Sequence, residues 1–266
     1  MKLFYRRYGE GPPLMILHGL YGSSDNWVSV AKAVSTGFTV YLPDLRNHGL
    51  SPHSDIHDYN ALSNDINELS EELGLDKFFL AGHSMGGKTA LFYATKWPEK
   101  PEGLLIADIS PFPAKGKRPP EYYQHLEILN TITGTDLSSI VSRNDADRII
   151  SGKITSERIR GFIMKNLQRT PDGKFIWKIN AQSLLRNLDK IMDGLPRPDN
   201  NYLSLTGFPV KFLKGEHSDY IPSDDWSDIL KIFPGAELKV IKNAGHWLHV
   251  DNPEAVISEF LSLYDH

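Results

Sequence analysis

Ser84 stands at the centre of Gly82-His83-Ser84-Met85-Gly86, between an apolar run and an amphipathic stretch, residues 85–98. A serine hydroxyl becomes a useful nucleophile only when a base takes its proton and nearby donors receive the charge that develops on the substrate. A strand-to-helix turn of this kind holds the serine in an unfavourable backbone conformation, and neighbours without side chains keep the bend from clashing. Gly82, Gly86 and Gly87 meet that requirement. The helix that follows would aim free amides and its positive dipole end at the serine oxygen. The same pentapeptide also serves as a glycine-rich turn with no chemistry, so the other parts of a hydrolytic site must be sought elsewhere in the chain.

A second tight turn, His18-Gly19-Leu20-Tyr21-Gly22, follows the apolar run "PLMIL". The backbone amides of Leu20 and Met85 could converge on a substrate oxygen, and each such donor is worth roughly 10²–10³ in rate. His18 and His83 flank these turns as supporting candidates, although His83 should point away from its neighbour Ser84. The general base is expected at His246, in "VIKNAGHWLHV" after the last apolar run, because the chain order serine, acid, histidine is then satisfied. Trp247 adjoins it as a substrate-site candidate, His249 reads as a packing residue, and His48 in "DLRNHGLS" reads as a support. The acid has two candidates. Asp108 ends the run "LLIADIS", where a buried carboxylate is costly without a partner; Asp219 follows Gly215-Glu216-His217-Ser218 one residue beyond the usual place after a glycine. Asp108 is the favoured one, and its competing role is to cap the turn into "PFP".

These residues need a scaffold. The 266-residue chain has 40% hydrophobic and 23% charged residues and a formal net charge of -4, an ordinary balance for a globular protein. Nothing in it is basic enough to suggest a nucleic-acid partner. The absence of cysteine removes disulfides and thiol chemistry, and no metal or cofactor is implied. The first residues carry charges within their apolar run and no apolar run approaches about 18 residues, so neither a signal peptide nor a membrane span is expected, and the cytoplasm is the expected compartment. The oligomeric state, monomer or homodimer, is not written in the sequence.

Short apolar runs alternate with helical patterns up to residue 110: "LFYRRYG", "PLMILHG", "FTVYLPD", "KFFLAGH" and "GLLIADIS" read as strands, with helices between them. Ser24 or Asp25 is placed to cap the first helix, and Gly74 to end the second. From residue 111 a proline-rich, basic segment opens a stretch of helical patterns with hardly any strand signal; from 206 the alternation resumes. The expected fold is α/β, a mostly parallel sheet flanked by helices, with core segments 1–110 and 206–266 interrupted by a helical cap at 111–205. Tyr122, Tyr123, Phe162 and Trp177 in that cap could line an acyl pocket or simply pack. Lys115, Lys117 and Arg118 could attract a phosphate-bearing leaving group or be a solvated loop.

The strings "HGLYGSSDNW", "DLRNHGLSPH", "GHSMGGK", "ADISP" and "AGHWLHVDNPEAV" together resemble the YbfF-type esterases of the α/β-hydrolase fold, over nearly all of the core and patchily in the cap through "FIWKINAQSLL". The resemblance implies a serine nucleophile at Ser84, a base at His246, an acid at Asp108 and a polar Ser218 beside the histidine. It also implies hydrolysis of short acyl esters, with acyl-CoA thioesters as a further class; the chain departs from the wider fold in an N-terminal strand pair that reads as shortened. Alternatives on the same fold are a C–C bond hydrolase, or a binding module with little turnover. A dehalogenase or epoxide hydrolase is disfavoured, since those use aspartate where this chain has Ser84.

Overall fold

Period-two alternation within the apolar runs decides the architecture. In the strands β1 (Tyr5–Tyr8), β2 (Pro13–Leu17) and β3 (Thr39–Pro43), successive side chains point to opposite faces, and in β2 both faces are buried. Leu14 and Ile16 pack with Val30, Ala31 and Val34 of helix α1 (Val28–Val34), whereas Met15 and Leu17 pack with Leu62, Ile66 and Leu69 of α2 (Tyr59–Glu72). A strand sealed on both sides must be covered by helices on both sides, which is the condition of a parallel sheet. β4 (Phe78–His83), helix α3 (Met85–Lys96) and β5 (Pro101–Ala107) continue the pattern.

The computed structural model describes residues 1–114, 118–199 and 204–264. Between β5 and β8 (Val210–Gly215) lie helices α4 (Pro120–Gly134), α5 (Arg143–Ser151) and α6 (Glu157–Met164), strands β6 (Leu167–Arg169) and β7 (Phe175–Trp177), and helices α7 (Ala181–Arg186) and α8 (Leu188–Met192). The chain closes with α9 (Trp226–Ile232), β9 (Glu237–Ile241), α10 (Leu248–Asp251) and α11 (Pro253–Leu261). The main sheet has the order β1-β3-β2-β4-β5-β8-β9, parallel throughout except for β1, which lies antiparallel on β3. Among the described residues no helix is long and apolar enough to cross a membrane.

Two local expectations need correction. The helical reading of 111–205 misses the β6–β7 hairpin, whose turn at Asp172-Gly173 uses a glycine at φ +86°. The first helix opens as a 3-10 turn over Ser24–Trp27, and its cap is Ser23, whose amide donates to Asn26 Oδ1 at 2.8 Å. Of the cap aromatics, Tyr123 is exposed, Tyr122 is buried, Trp177 packs against both the main core and the Phe175 cluster, and Phe162 packs against the core and lines a cavity. Gly74 does end α2, at φ +66°, with the Leu75 amide returning to the Ser70 carbonyl. Lys115 and Lys117 lie outside the described residues; Arg118 sits over the Tyr122 ring.

Candidate active site

The C-terminal ends of β2, β4, β5 and β9 meet at one edge of the sheet, and the candidate residues leave from those ends. The register fixes their relation: Leu17 pairs with Gly82, His83 with Ala107, and Ala107 with Leu213. Ser84 then extends the ladder by one bond, its amide donating to the Ala107 carbonyl, and Asp108 does the same to Leu213 at 2.7 Å. Ligands of open parallel sheets bind at such an edge.

Ser84 occupies φ 53°, ψ -119°, a conformation that side chains rarely adopt and that costs about 1–3 kcal/mol. The turn closes because its neighbours lack Cβ atoms. A Cβ on Gly82 would lie 2.2 Å from the Gly86 carbonyl oxygen, and one on Gly86 would lie 2.4 Å from that of Leu17. Gly86 thus seats the start of α3 against the end of β2, which brings the His18–Gly22 turn beside Ser84. Met85, the first residue of α3, carries an amide with no acceptor inside its own helix. Gly86→Ala is expected to lower stability by about 1–3 kcal/mol through overpacking, seen as a drop in Tm. Gly134→Ala, where no atom lies within 4 Å, is expected to be neutral or slightly stabilising.

Asp108 is fully buried, and its carboxylate accepts three bonds. Gly215 N–H donates to Oδ1 at 2.9 Å, Ser218 Oγ donates a short bond to Oδ2, and His246 Nδ1 lies 2.8 Å from Oδ2. Asp219 is exposed and takes no part in this arrangement. With Nδ1 given to the carboxylate, Nε2 is the nitrogen His246 keeps free for proton transfer. Ser84 and His246 line one cavity of about 370 Å³, together with Leu20, Tyr21, Trp27 and Trp247.

Two groups aim the His246 imidazole that sequence reasoning left unassigned to this task. Tyr220 stacks on it with centroids 3.7 Å apart and planes 15° apart, and His83 Nε2–H donates to the His246 carbonyl at 2.7 Å. That bond places the His83 proton on Nε2, and burial pushes its pKa well below the usual histidine range, so it stays a neutral donor. His83 therefore reaches the base's backbone and also lines the cavity. Upstream of His246, Asp251 Oδ2 accepts the Gly245 amide at 2.9 Å. Arg158 of α6 pairs with Asp251 at 2.5 Å and covers the Trp247 ring at 4.7 Å.

The oxyanion-side turn is held by two more histidines. His18 Nε2 accepts the Leu45 amide at 2.9 Å, so its Nδ1–H donates to the Gly19 carbonyl at 2.8 Å. His48 Nε2 accepts the Tyr21 amide, and its Nδ1–H donates to Arg46 O. Burial lowers the pKa of both, strongly for His48. His249 stacks on Trp27 at 4.3 Å, and burial pushes its pKa down to about 3. Among the described residues no group of three or more His, Asp or Glu side chains could hold a metal ion.

Comparison with known proteins bears on the family and the fold. A model of the alpha/beta hydrolase family matches residues 14–259. The chain is 36% identical over 260 residues to the sn-1-specific diacylglycerol lipase ABHD11 of Danio rerio, covering 96% of this chain and 78% of that protein. It is 30% identical over 247 residues to esterase YbfF of Escherichia coli strain K12, with 92% and 90% covered. A solved structure of a marine microorganism esterase matches with a TM-score of 0.93 and 40% identity, over 98% of this chain and 99% of that one. With a family match over most of its length, a relative at this identity and the sheet order just described, the chain belongs to the alpha/beta hydrolase family.

Proposed function

We propose that this esterase-type hydrolase cleaves short-chain carboxylic esters through an acyl-enzyme on Ser84, with His246 as base and Asp108 as acid. The observation that carries the proposal is the 2.8 Å contact between His246 Nδ1 and Asp108 Oδ2 at the wall of the cavity that Ser84 lines. His246 Nε2 takes the Ser84 proton as Oγ attacks the ester carbonyl, and the Leu20 and Met85 amides receive the oxyanion. Asp108 stabilises the imidazolium without accepting its proton. The stacked face of Tyr220 adds to that stabilisation, because the face of an aromatic ring is its negative side. The imidazolium then protonates the departing alkoxide, and a water activated by the same nitrogen releases the acid. Acyl-CoA thioesters would pass through the same acyl-enzyme. Residues 111–205 act as the cap; Ile128, Ile159 and Phe162 from this segment give the cavity an apolar wall suited to an acyl chain.

The test is turnover of p-nitrophenyl esters from acetate to decanoate, with labelling by an alkyl phosphonate followed by peptide mapping. Rates are expected to peak among the short chains and the label to fall on Ser84. A folded protein that turns over none of them and takes no label would overturn the esterase reading and leave the binding-module or C–C hydrolase alternative.

A further inference from the structure

The cavity beside Ser84 is apolar along Ile128, Ile159, Phe162 and Trp247, but one wall is not. Tyr21, from the turn after β2, and His125, from α4, meet there with Tyr21 Oη 3.1 Å from His125 Nδ1. An acyl chain has no use for either polar group. Yet the chain holds Tyr21 in place at some cost: it is a non-glycine residue at φ +62°, with its amide donating to His48 Nε2 and its carbonyl accepting the Asn166 Nδ2 donor at 2.8 Å. These two bonds tie the Tyr21 backbone to the loop after β3 and to the turn between α6 and β6.

The hydrogen-bonding capacity of the pair can be counted. His125 is neutral, since burial brings its pKa to about 4, so the imidazole and the phenol carry one proton each. If Tyr21 Oη–H donates to Nδ1, then Nε2–H remains as a donor and the phenol oxygen as an acceptor. If Nδ1–H donates to Tyr21 Oη, then the phenol proton remains as a donor and Nε2 as an acceptor. Either tautomer leaves one donor and one acceptor. Among the described residues the only other hydrogen bond of these two side chains is a weak one at 3.5 Å from Tyr21 Oη to the His125 carbonyl, and the His125 ring makes no further hydrogen bond. A hydroxyl, which donates and accepts, satisfies both groups; a carbonyl satisfies one and an alkyl group neither.

We propose that Tyr21 and His125 form a hydroxyl-recognition subsite, and that the preferred esters carry a free hydroxyl group close to the scissile bond. The proposal rests on the ester-hydrolase reading above and adds a substrate class to it. Its test compares kcat/KM for ethyl butyrate, 2-hydroxyethyl butyrate and ethyl 3-hydroxybutyrate in the wild type, Tyr21→Phe and His125→Phe, with Tm as the check on folding. One hydroxylated ester is expected to be preferred over ethyl butyrate by about tenfold, the scale of one or two neutral hydrogen bonds. Preference for 2-hydroxyethyl butyrate places the subsite on the alcohol side, and preference for the 3-hydroxybutyrate places it on the acyl side. In both variants the ratio is expected to fall to about one, since each leaves the substrate hydroxyl with half its partners. Turnover of ethyl butyrate without any hydroxyl preference, or a preference that survives in both folded variants, overturns the subsite alone. No turnover of any of the three overturns the ester-hydrolase reading and the subsite with it.

Discussion

Ser84→Ala is expected to lower kcat for p-nitrophenyl butyrate by about 10⁶-fold, the loss seen when a hydrolytic nucleophile is removed. Its melting temperature is expected to stay close to that of the wild type. The two readouts separate because the strain at φ 53° comes from having a Cβ there, and alanine keeps that Cβ. Ser84→Gly sharpens the test: it should be equally inactive but more stable by about 1 kcal/mol, since glycine enters positive φ without penalty. The opposite signs for activity and stability are the mark of a residue kept in a poor conformation for its chemistry. Residual activity above about one hundredth of the wild type, far more than the background left by binding and oxyanion donors, would place the nucleophile elsewhere. Phosphonate labelling of the alanine variant would say the same.

Much of this scaffold could be read from local pattern. The five strands read before residue 111 are short apolar runs bounded by turn residues, and each is present within a few residues of its expected ends; the alternation that resumes from 206 appears as β8, α9, β9 and α11. Parallel strands joined by helices place their C-terminal ends at one edge of the sheet, and Ser84, Asp108 and His246 all follow such ends. The β6–β7 hairpin was hidden for a physical reason: each strand has three residues, too few to show alternation, and the pairing of Leu167 with Trp177 supplies what the pattern does not. Tyr220 and His125 were hidden differently. Neither belongs to a motif, and each gains meaning only through a partner far along the chain, Tyr220 from His246 and His125 from Tyr21. His83 illustrates a third case: its place next to Ser84 suggests a side chain turned away from the serine, and only the fold supplies what its ring meets, the His246 carbonyl. Contacts of this sort are set by tertiary packing, and the only sequence signal for them is an aromatic or a histidine in a loop or helix face that would otherwise be unremarked.

Asp108→Asn is expected to reduce kcat by about 10⁴-fold, with Asp219→Asn within twofold of wild type. The asymmetry follows from what surrounds each carboxylate. The Asp108 oxygens accept from the Gly215 amide, the Ser218 hydroxyl and His246 Nδ1, in a site with no exposure to water. An asparagine presents one acceptor and one donor in that space. If its oxygen faces the Gly215 amide, its NH₂ faces His246, and the imidazole can meet that donor only with an unprotonated Nδ1. The proton then sits on Nε2, so the nitrogen that should take the Ser84 proton already carries one. Turning the amide over restores the His246 bond but sets NH₂ against the Gly215 N–H, two donors in contact in a buried site, which is costly. Ser218 can rotate its hydroxyl to suit either arrangement; the backbone amide cannot. The loss should therefore appear in kcat, with the labelling rate at Ser84 falling in parallel because the same proton transfer activates the serine toward phosphonate. Asp219 lies in solvent, and no bond to His246 is lost when it is neutralised. If Asp219→Asn proves the more damaging, the acid belongs to the loop after β8 and the bond at the end of β5 is structural.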